Sequence, residues 1–373
     1  MKKPKNHDRG DATRRPADAV APARPARPVR EQMPASGRPT MRDVATAAGV
    51  STATVSNVLH GLRFVGPEKR QRVLDAVASL SYSPNRVAAS LRSRRSHMIG
   101  IVVPDITTSF FSAVVRRIEE LAGGSNYQVL LAESQENLER ERERIQALIA
   151  RQTDGLFVVP CIDHSPALDD IRRSGIPTVI FDRVAADTDF DSIAVDNINA
   201  SREGTRHLLS LGHRNIVFLA SDPGLRNIAE RTEGYRLALQ DAGHGAMERV
   251  VVSGDTANDG ERAMRAVLAA PDRPSAVFTS THILAMGALR AIWSAGLQIP
   301  QSISLLTFDE SVWMTALRPF LSVIHQPVEQ IAQQAWATMI ERLSGRVGPT
   351  IHRDLTCSLI ARESTGRCPA KAD

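Results

Sequence analysis

From residue 98 onward, short apolar runs alternate with longer amphipathic segments. The apolar runs are Ile99–Val103, Gln128–Leu131, Leu156–Val159, Thr178–Phe181, Ile193–Val195, Ile216–Ala220, Val250–Val252, Ala276–Phe278, Ile303–Phe308 and Leu321–Ile324. The clearest amphipathic segments are Ser109–Leu121, Leu138–Arg151, Asn199–Leu211 and Ile228–Ala242. Apolar strands that alternate with helices are typical of parallel sheets covered on both faces. Because this is more strands than one compact sheet usually holds, the pattern predicts two α/β lobes.

A helical pattern with strong capping signals lies between residues 39 and 83. Thr40 and Asp43 have the spacing of a capping box, Gly49 suits a tight turn, and Ser51 can cap a second helix. Gly66-Pro67 begins a third helix. The residues expected to face inward are Val44, Ala45 and Ala48, then Val55, Val58 and Leu59, then Val73, Leu74, Val77 and Leu80. The pattern predicts a helix-turn-helix, the unit that places its second helix in a DNA major groove.

The outward face of the second helix carries short polar side chains. Ser51 and Thr54 suit phosphate contacts, whereas Thr52, Ala53 and Asn57 suit contacts with base edges. The alternative is a three-helix bundle that binds nothing.

Charge is distributed unevenly along the chain. Residues 1–95 carry 19 Lys and Arg against 7 Asp and Glu, and residues 96–373 carry 27 against 34. A basic end joined to a mildly acidic body indicates contact with a polyanion, although a solvated basic tail would give the same balance. Residues 1–38 contain six prolines and no apolar period, so we expect a disordered tail, with Met33 or Met41 as alternative starts to Met1.

Several functional classes are disfavoured by the sequence. Apolar runs of about seven residues are far shorter than the roughly 20 that cross a bilayer, and no secretory signal is evident, so a cytoplasmic protein is expected. Cys161, Cys357 and Cys368 are too widely spaced for a disulfide framework or a structural zinc site. Motifs of hydrolases, phosphate loops and zinc proteases are missing, so we expect neither an enzyme, nor a metal, nor a cofactor.

Polar residues follow several of the predicted strands. Pro104-Asp105, Asp182-Arg183, Asp196-Asn197 and Asp309 stand at strand ends, which converge on a cleft in such folds. Arg231 and Phe110-Phe111 begin helices that could face the same cleft. Carboxylates, an arginine and aromatic rings suit a polyhydroxylated or anionic small molecule. For each acidic residue alone, a capping or structural hydrogen bond is an equal alternative.

The segment 40–95 resembles the headpiece of LacI/GalR bacterial transcriptional regulators. The resemblance rests on TMRDVATAAGVSTATVSNVLHG, SYSPNRVA and the LRS that follows. It implies that Thr52, Ala53 and Asn57 read the major groove, and that Asn85–Arg92 is a hinge helix that folds on DNA. Within that helix Leu91 would wedge into the minor groove, Ala88 would let two hinge helices meet, and Arg92 would lie beside phosphates.

The body resembles the two-lobed effector domain of the same family, which is similar to periplasmic sugar-binding proteins. The matching motifs include IGIVVPDITTSFFSAVVRRIEELA, IPTVIFDR, RTEGYRLAL, AMGALRAIWSAGLQIPQSISLLTFDE and IHQP. The likeness implies effector contacts from Phe110, Phe111, Asp182, Arg231 and Asp309. Three places depart from the family pattern: Thr108-Ser109, the stretch Ser221–Arg226, and His282. His282 is either an effector contact or a helix-capping residue.

These observations predict five segments and one function. The segments are a tail at 1–38, a helix-turn-helix domain at 39–83, a hinge helix and linker at 84–97, an effector-binding and dimerisation domain at 98–365 and a tail at 366–373. The predicted function is that of a repressor, a homodimer on near-palindromic operator DNA, controlled by an effector that induces or corepresses. The resemblance favours a sugar or sugar acid as effector, with nucleobases and other small metabolites as alternatives. The alternatives are a sugar-transport receptor and an architectural DNA binder that ignores ligands.

Overall fold

The computed structural model describes residues 39–60, 63–83 and 95–369. The chain divides into two compact units, of which the first ends at Asn85 and the second begins at Arg86. The predicted tail at 1–38 and most of the predicted hinge, residues 84–94, lie outside the described residues. The predicted segment boundaries remain predictions.

The first unit contains three helices, α1 (Met41–Ala48), α2 (Thr52–His60) and α3 (Pro67–Ser79). The capping box begins α1, because the Thr40 amide donates to Asp43 Oδ2 at 2.7 Å and the Asp43 amide donates to Thr40 Oγ1 at 3.3 Å. Gly49 ends α1 at a φ of 63°, a conformation that costs glycine little. The helix-turn-helix predicted from capping and periodicity is thus confirmed in its local structure.

A small apolar cluster holds these three helices together. Its buried members are Val44, Ala45, Ala48, Val55, Val73, Ala76 and Tyr82. The prediction that Leu74 faces inward is wrong, since Leu74 is 42% exposed. The inward stripe of α3 instead follows the i, i+3, i+4 spacing of Val73, Ala76 and Val77, and Leu74 falls beside it.

The second unit consists of two α/β lobes, each built on a six-stranded sheet. The strands are β1 (Met98–Val103), β2 (Gln128–Glu133), β3 (Gly155–Val158), β4 (Thr178–Phe181), β5 (Asp191–Val195), β6 (Ile216–Ala220), β7 (Val250–Val252), β8 (Ala276–Thr279), β9 (Ser304–Phe308), β10 (Ser322–His325), β11 (His352–Leu355) and β12 (Ser358–Ile360). The helices are α4 (Ser109–Gly124), α5 (Leu138–Ala150), α6 (Pro166–Ser174), α7 (Asn197–Ser210), α8 (Arg226–Asp241), α9 (Ala257–Ala269), α10 (His282–Ser294) and α11 (Val328–Leu343). The prediction of two α/β lobes is confirmed.

The order of strands shows how the chain passes between the lobes. The first sheet has the order β11-β5-β4-β3-β1-β2 and the second β12-β10-β9-β8-β6-β7. All pairings are parallel except that of β12 with β10. Because β11 belongs to the first sheet and α11 packs against β4 and β5, the chain crosses between lobes after β5, after β10 and after β11. Three connecting segments therefore join the lobes beside the cleft.

The carboxyl-terminal segment packs onto the second lobe as far as it is described. The Gly366 amide donates to Ser304 Oγ at 3.0 Å, and the Cys368 amide donates to the Leu211 carbonyl at 2.9 Å. The buried His213 ring bonds to Ser304 and to the Gly366 carbonyl at 3.0 Å each. Residues 366–369 of the segment predicted as a tail thus complete the packing around His213.

Candidate functional site

A cavity of about 170 Å³ lies between the two lobes of the second unit, at the carboxyl ends of their strands. Ligands bind preferentially at this position in open parallel sheets. The six side chains that the sequence predicted for an effector site all line it: Phe110, Phe111, Asp182, Arg231, His282 and Asp309. The fold therefore brings together residues that are separated by up to 199 positions in the chain.

Asp182 and Asp309 occupy corresponding positions in the two lobes. Each directly follows a buried strand, β4 or β9, and each has a positive φ, 67° and 65° respectively. Their amides donate to carbonyls of the next strand, to Ile193 at 3.2 Å and to Ile324 at 3.1 Å. Positive φ is uncommon for residues other than glycine and concentrates at binding sites. The two turns direct a carboxylate from each lobe to the same cavity.

Arg231 is held rigidly beneath the cavity by groups from three elements. Its side chain is 2% exposed, and its Nε donates to Asn197 Oδ1 at 2.9 Å while Nη1 donates to the Ser280 carbonyl at 2.7 Å. Asp309 Oδ2 lies 3.7 Å from Nη1, and the guanidinium carbon lies 4.1 Å from the ring centre of Phe308. A planar cation with this many partners keeps one orientation, which suits recognition of a small polar molecule.

Asp182 is a buried carboxyl group, and among the described residues a single side chain, from the other lobe, donates a hydrogen bond to it. Burial raises the pKa of Asp182, and the positive charges of Arg183 and Arg231 only partly offset this effect. Asn227 donates to Asp182 Oδ2 at 3.1 Å. The carboxyl group therefore has unused acceptor capacity at the cavity.

His282 is the first residue of α10, and Thr281 caps that helix through a hydrogen bond from the Leu284 amide at 3.3 Å. The capping role considered for His282 thus belongs to Thr281. The imidazole of His282 is buried, and its Nε2 lies 3.3 Å from Ser109 Oγ of the other lobe. Burial lowers the pKa of His282, against a smaller opposite effect of Asp309, which favours the neutral ring.

Phe110 and Phe111 form the apolar side of the cavity. Both lie in the first turn of α4, both are buried, and their ring centres are 5.2 Å apart in an edge-to-face arrangement. Apolar walls with a few directed polar groups are typical of small-molecule sites.

Among the polar lining residues outside the predicted set, three hold or pair with acidic side chains of the site. Asn227 bonds Asp182 as described, Gln326 donates to Asp309 Oδ1 at 2.5 Å, and Arg183 donates to both oxygens of Glu136 at 2.7 and 2.6 Å. All three had a signal in the sequence. Arg183 follows Asp182 directly after β4. Gln326 follows the apolar run of β10, and Asn227 precedes Arg231 by one helical turn, on the same face of α8.

In the first unit, the predicted DNA-binding face of α2 is largely open to solvent. Ser51, Thr52 and Ala53 are exposed, while Thr54 and Asn57 are half-buried. Ser51 Oγ accepts from the Thr54 amide at 3.1 Å and lies 2.9 Å from Thr54 Oγ1. The Ser51 hydroxyl thus caps the first turn of α2 and still lies at the surface, as a phosphate contact requires.

The predicted hinge residues cannot be placed in the same way. Asn85, Ala88, Leu91 and Arg92 lie outside the described residues, so their roles remain predictions.

Within residues 39–60, 63–83 and 95–369, no three His, Cys, Asp or Glu side chains are grouped as metal ligands would be.

Comparison with known proteins yields two family models that match separate parts of the chain. Residues 40–85 match the model described as bacterial regulatory proteins of the lacI family. Residues 205–365 match the model of a periplasmic binding protein-like domain. One match falls on each of the two compact units.

Relatives of full length and of known structure combine both units. The ribose operon repressor of Escherichia coli (strain K12) is 33% identical over 307 residues, which cover 82% of this chain and 93% of the relative. The transcriptional repressor PurR of Pectobacterium carotovorum is 33% identical over 88% of this chain and 98% of its own length. The solved lac repressor dimer bound to operator and the anti-inducer ONPF has a TM-score of 0.79 at 26% identity, over 88% of this chain and 99% of that one.

Proposed function

This chain belongs to the lacI family of bacterial regulatory proteins, and from that membership we propose that a small molecule held between its lobes controls its binding to operator DNA. Like the repressors to which it is similar, the protein is a DNA-binding transcriptional repressor and not an enzyme. The observation that carries the proposal is the cavity itself, where carboxylates of both lobes meet the buried Arg231.

Two chains bind one operator in this proposal. The lac repressor structure that the chain resembles is a dimer on its operator. Two copies of α2 would then enter successive major grooves of a near-palindromic site, with Thr52, Ala53 and Asn57 at base edges and Ser51 and Thr54 at phosphates. Asn85, Ala88, Leu91 and Arg92 would form a hinge that orders on the DNA. The headpiece is basic, which favours the approach to a phosphate backbone.

The effector acts by changing the relative orientation of the lobes. Three chain segments cross between the lobes beside the cavity, so a ligand that contacts both lobes favours one angle between them. Phe110, Phe111, Asp182, Arg231, His282 and Asp309 are the proposed contacts. The name of the ribose operon repressor favours a sugar or sugar acid, and both induction and corepression are consistent with such coupling.

The proposed place of action is the cytoplasm, where a repressor meets its operator. No helix among the described residues combines the length and the apolar character that crossing a bilayer requires. Neither a cofactor nor a metal takes part in the proposed mechanism.

The function is tested by selecting the preferred site of the full chain from random duplex DNA and titrating sugars into the resulting complex. We expect a near-palindromic site and a change in operator affinity of about 5- to 150-fold at saturating effector, the usual range of such coupling. Fluorescence anisotropy of the labelled site measures the operator affinity with and without effector. Selection of no common sequence would contradict the proposal for the helix-turn-helix.

A second test concerns the proposed hinge. Leu91→Ala should weaken binding to the selected operator by about tenfold, roughly 1.4 kcal/mol, because the smaller side chain no longer props open the central base step. Binding to a scrambled duplex should change little, since it depends on phosphate contacts. Equal losses on both duplexes would remove the wedge role from Leu91.

A further inference from the structure

Buried polar atoms without partners are concentrated at the cavity. Among the described residues, seven buried side-chain nitrogen and oxygen atoms have no hydrogen-bond partner, and three of these belong to Arg183, His282 and Gln326. All three residues line the cavity. An unpaired buried polar atom destabilises the folded state. A bound ligand with several hydrogen-bonding groups would satisfy such atoms.

The charges around the cavity disfavour an anion. Five lining residues are acidic, Asp105, Glu136, Asp182, Asp255 and Asp309, whereas two, Arg183 and Arg231, carry permanent positive charge, so the formal balance is −3.

Both cations already lie beside carboxylates. Glu136 accepts from both terminal nitrogens of Arg183, and Asp182 Oδ2 lies 3.9 Å from its Nε. Arg231 donates to Asn197 and Ser280, and Asp309 Oδ2 lies 3.7 Å from its Nη1. An incoming carboxylate would therefore meet a like charge beside each cation.

Ser109 and His282, two of the positions at which this chain departs from its family pattern, contact each other across the cleft. The 3.3 Å contact between Ser109 Oγ and His282 Nε2 occupies one ring nitrogen, whichever atom donates. The other nitrogen, Nδ1, is buried and has no partner, on a side chain that is itself 6% exposed and lines the cavity. A hydroxyl group can both donate and accept, so it can pair with Nδ1 in either tautomer.

We propose that the cavity selects an uncharged molecule with several hydroxyl groups, one of which hydrogen bonds to His282 Nδ1 while Ser109 orients the ring. This inference rests on the proposed function, because it names the class of effector. It favours a neutral sugar over a sugar acid, and it assigns to Ser109 a positioning role.

The charge selection is tested by calorimetry on the full chain with matched pairs, D-ribose with D-ribonate and D-glucose with D-gluconate, and with adenine. We expect one neutral sugar to bind at least ten times more tightly than its acid. An acid that binds as tightly as its neutral partner would overturn the inference. Binding of adenine with no binding of either neutral sugar would also overturn it, because adenine has no hydroxyl group.

The role of His282 is tested with two substitutions and the neutral sugar that binds. In His282→Asn the side-chain amide lies near the former position of Nδ1 and can replace it. In His282→Gln the longer side chain places its amide near the former position of Nε2 instead. We expect His282→Asn to retain affinity within about threefold and His282→Gln to lose at least tenfold. The exposed His164→Asn is the matched control and should bind as the original chain does. Equal affinities of His282→Asn and His282→Gln would overturn the assignment of Nδ1, and thermal melts establish that each variant is folded.

The two proposals fail in different ways. A sugar that binds with the expected preference but leaves operator affinity unchanged would contradict the proposed control of DNA binding and leave the inference standing. A sugar acid that releases the operator would support the proposed function and overturn the inference.

Discussion

Arg231→Ala is expected to abolish the effect of the effector on operator binding. The substitution removes the donor to Asn197 and Ser280 and leaves the nearby Asp309 without its cation, in a site that is almost fully buried. An effector that accepts a hydrogen bond from this guanidinium would lose a charge-assisted bond of about 1.5–3 kcal/mol, which corresponds to a loss of effector affinity of roughly 10- to 100-fold. The measured quantity is the ratio of operator affinities without effector and with effector at the concentration that just saturates the original chain, and we expect this ratio to fall towards one.

The matched control for this prediction is Arg236→Ala. Arg236 lies on the same helix, α8, but its side chain is 41% exposed and bonds Glu248 at 2.7 Å, away from the cavity lining. Exposed pairs contribute little, so this variant should keep the ratio of the original chain. An unchanged ratio in Arg231→Ala, with a melt that shows a folded chain, would mean that the effector binds elsewhere.

Gly287→Ala is expected to destabilise the second lobe by about 3 kcal/mol, because it forces two packed helices apart. A β-carbon at Gly287 would lie 2.1 Å from the Ala257 carbonyl oxygen and 2.5 Å from the Glu261 amide nitrogen. Both are backbone atoms of α9, so no rotamer change relieves the clash. The free energy of unfolding in urea measures the loss, with tryptophan fluorescence as the probe, since all three tryptophans lie in the second unit.

Gly123→Ala is expected to have the opposite effect on the free energy of unfolding of the same unit. Gly123 lies in the last turn of α4, and a β-carbon there would meet no atom within 4 Å. Alanine has a higher helix propensity than glycine, so this variant should be stabilised by up to about 1 kcal/mol. Equal effects of the two substitutions would show that the approach of α9 and α10 is not as close as the structure has it.

The arrangement of elements could be predicted because it depends on local patterns. The bounds of β4, β6 and β7 agree with the apolar runs, and the capping signals at Thr40 and Gly49 mark the ends of α1. The strands β11 and β12 were missed. The side chains of β11 are mostly exposed and polar, so this edge strand has no apolar run, and its position is defined only by pairing with β5.

The cavity was predictable in its composition but not in its contacts. Aspartates that end parallel strands lie at the carboxyl edge of their own sheet, where the cleft of such folds lies, so Asp182 and Asp309 could each be assigned to a cleft from the sequence. Their positive φ values, and the bonds from Asn227 and Gln326, depend on neighbours that are distant in the chain.

By itself, the sequence determined the helix-turn-helix, the alternation of strands and helices, and the residue types at the strand ends. These features follow from periodicity, capping and short-range sterics, which act over a few residues. Only the tertiary structure decided that a carboxylate lies beside each arginine of the cavity, and that Ser109 meets His282 across the cleft. Charge balance and unpaired buried atoms depend on groups that folding brings together from both lobes, and for this reason the proposed preference for an uncharged effector rests on the tertiary structure.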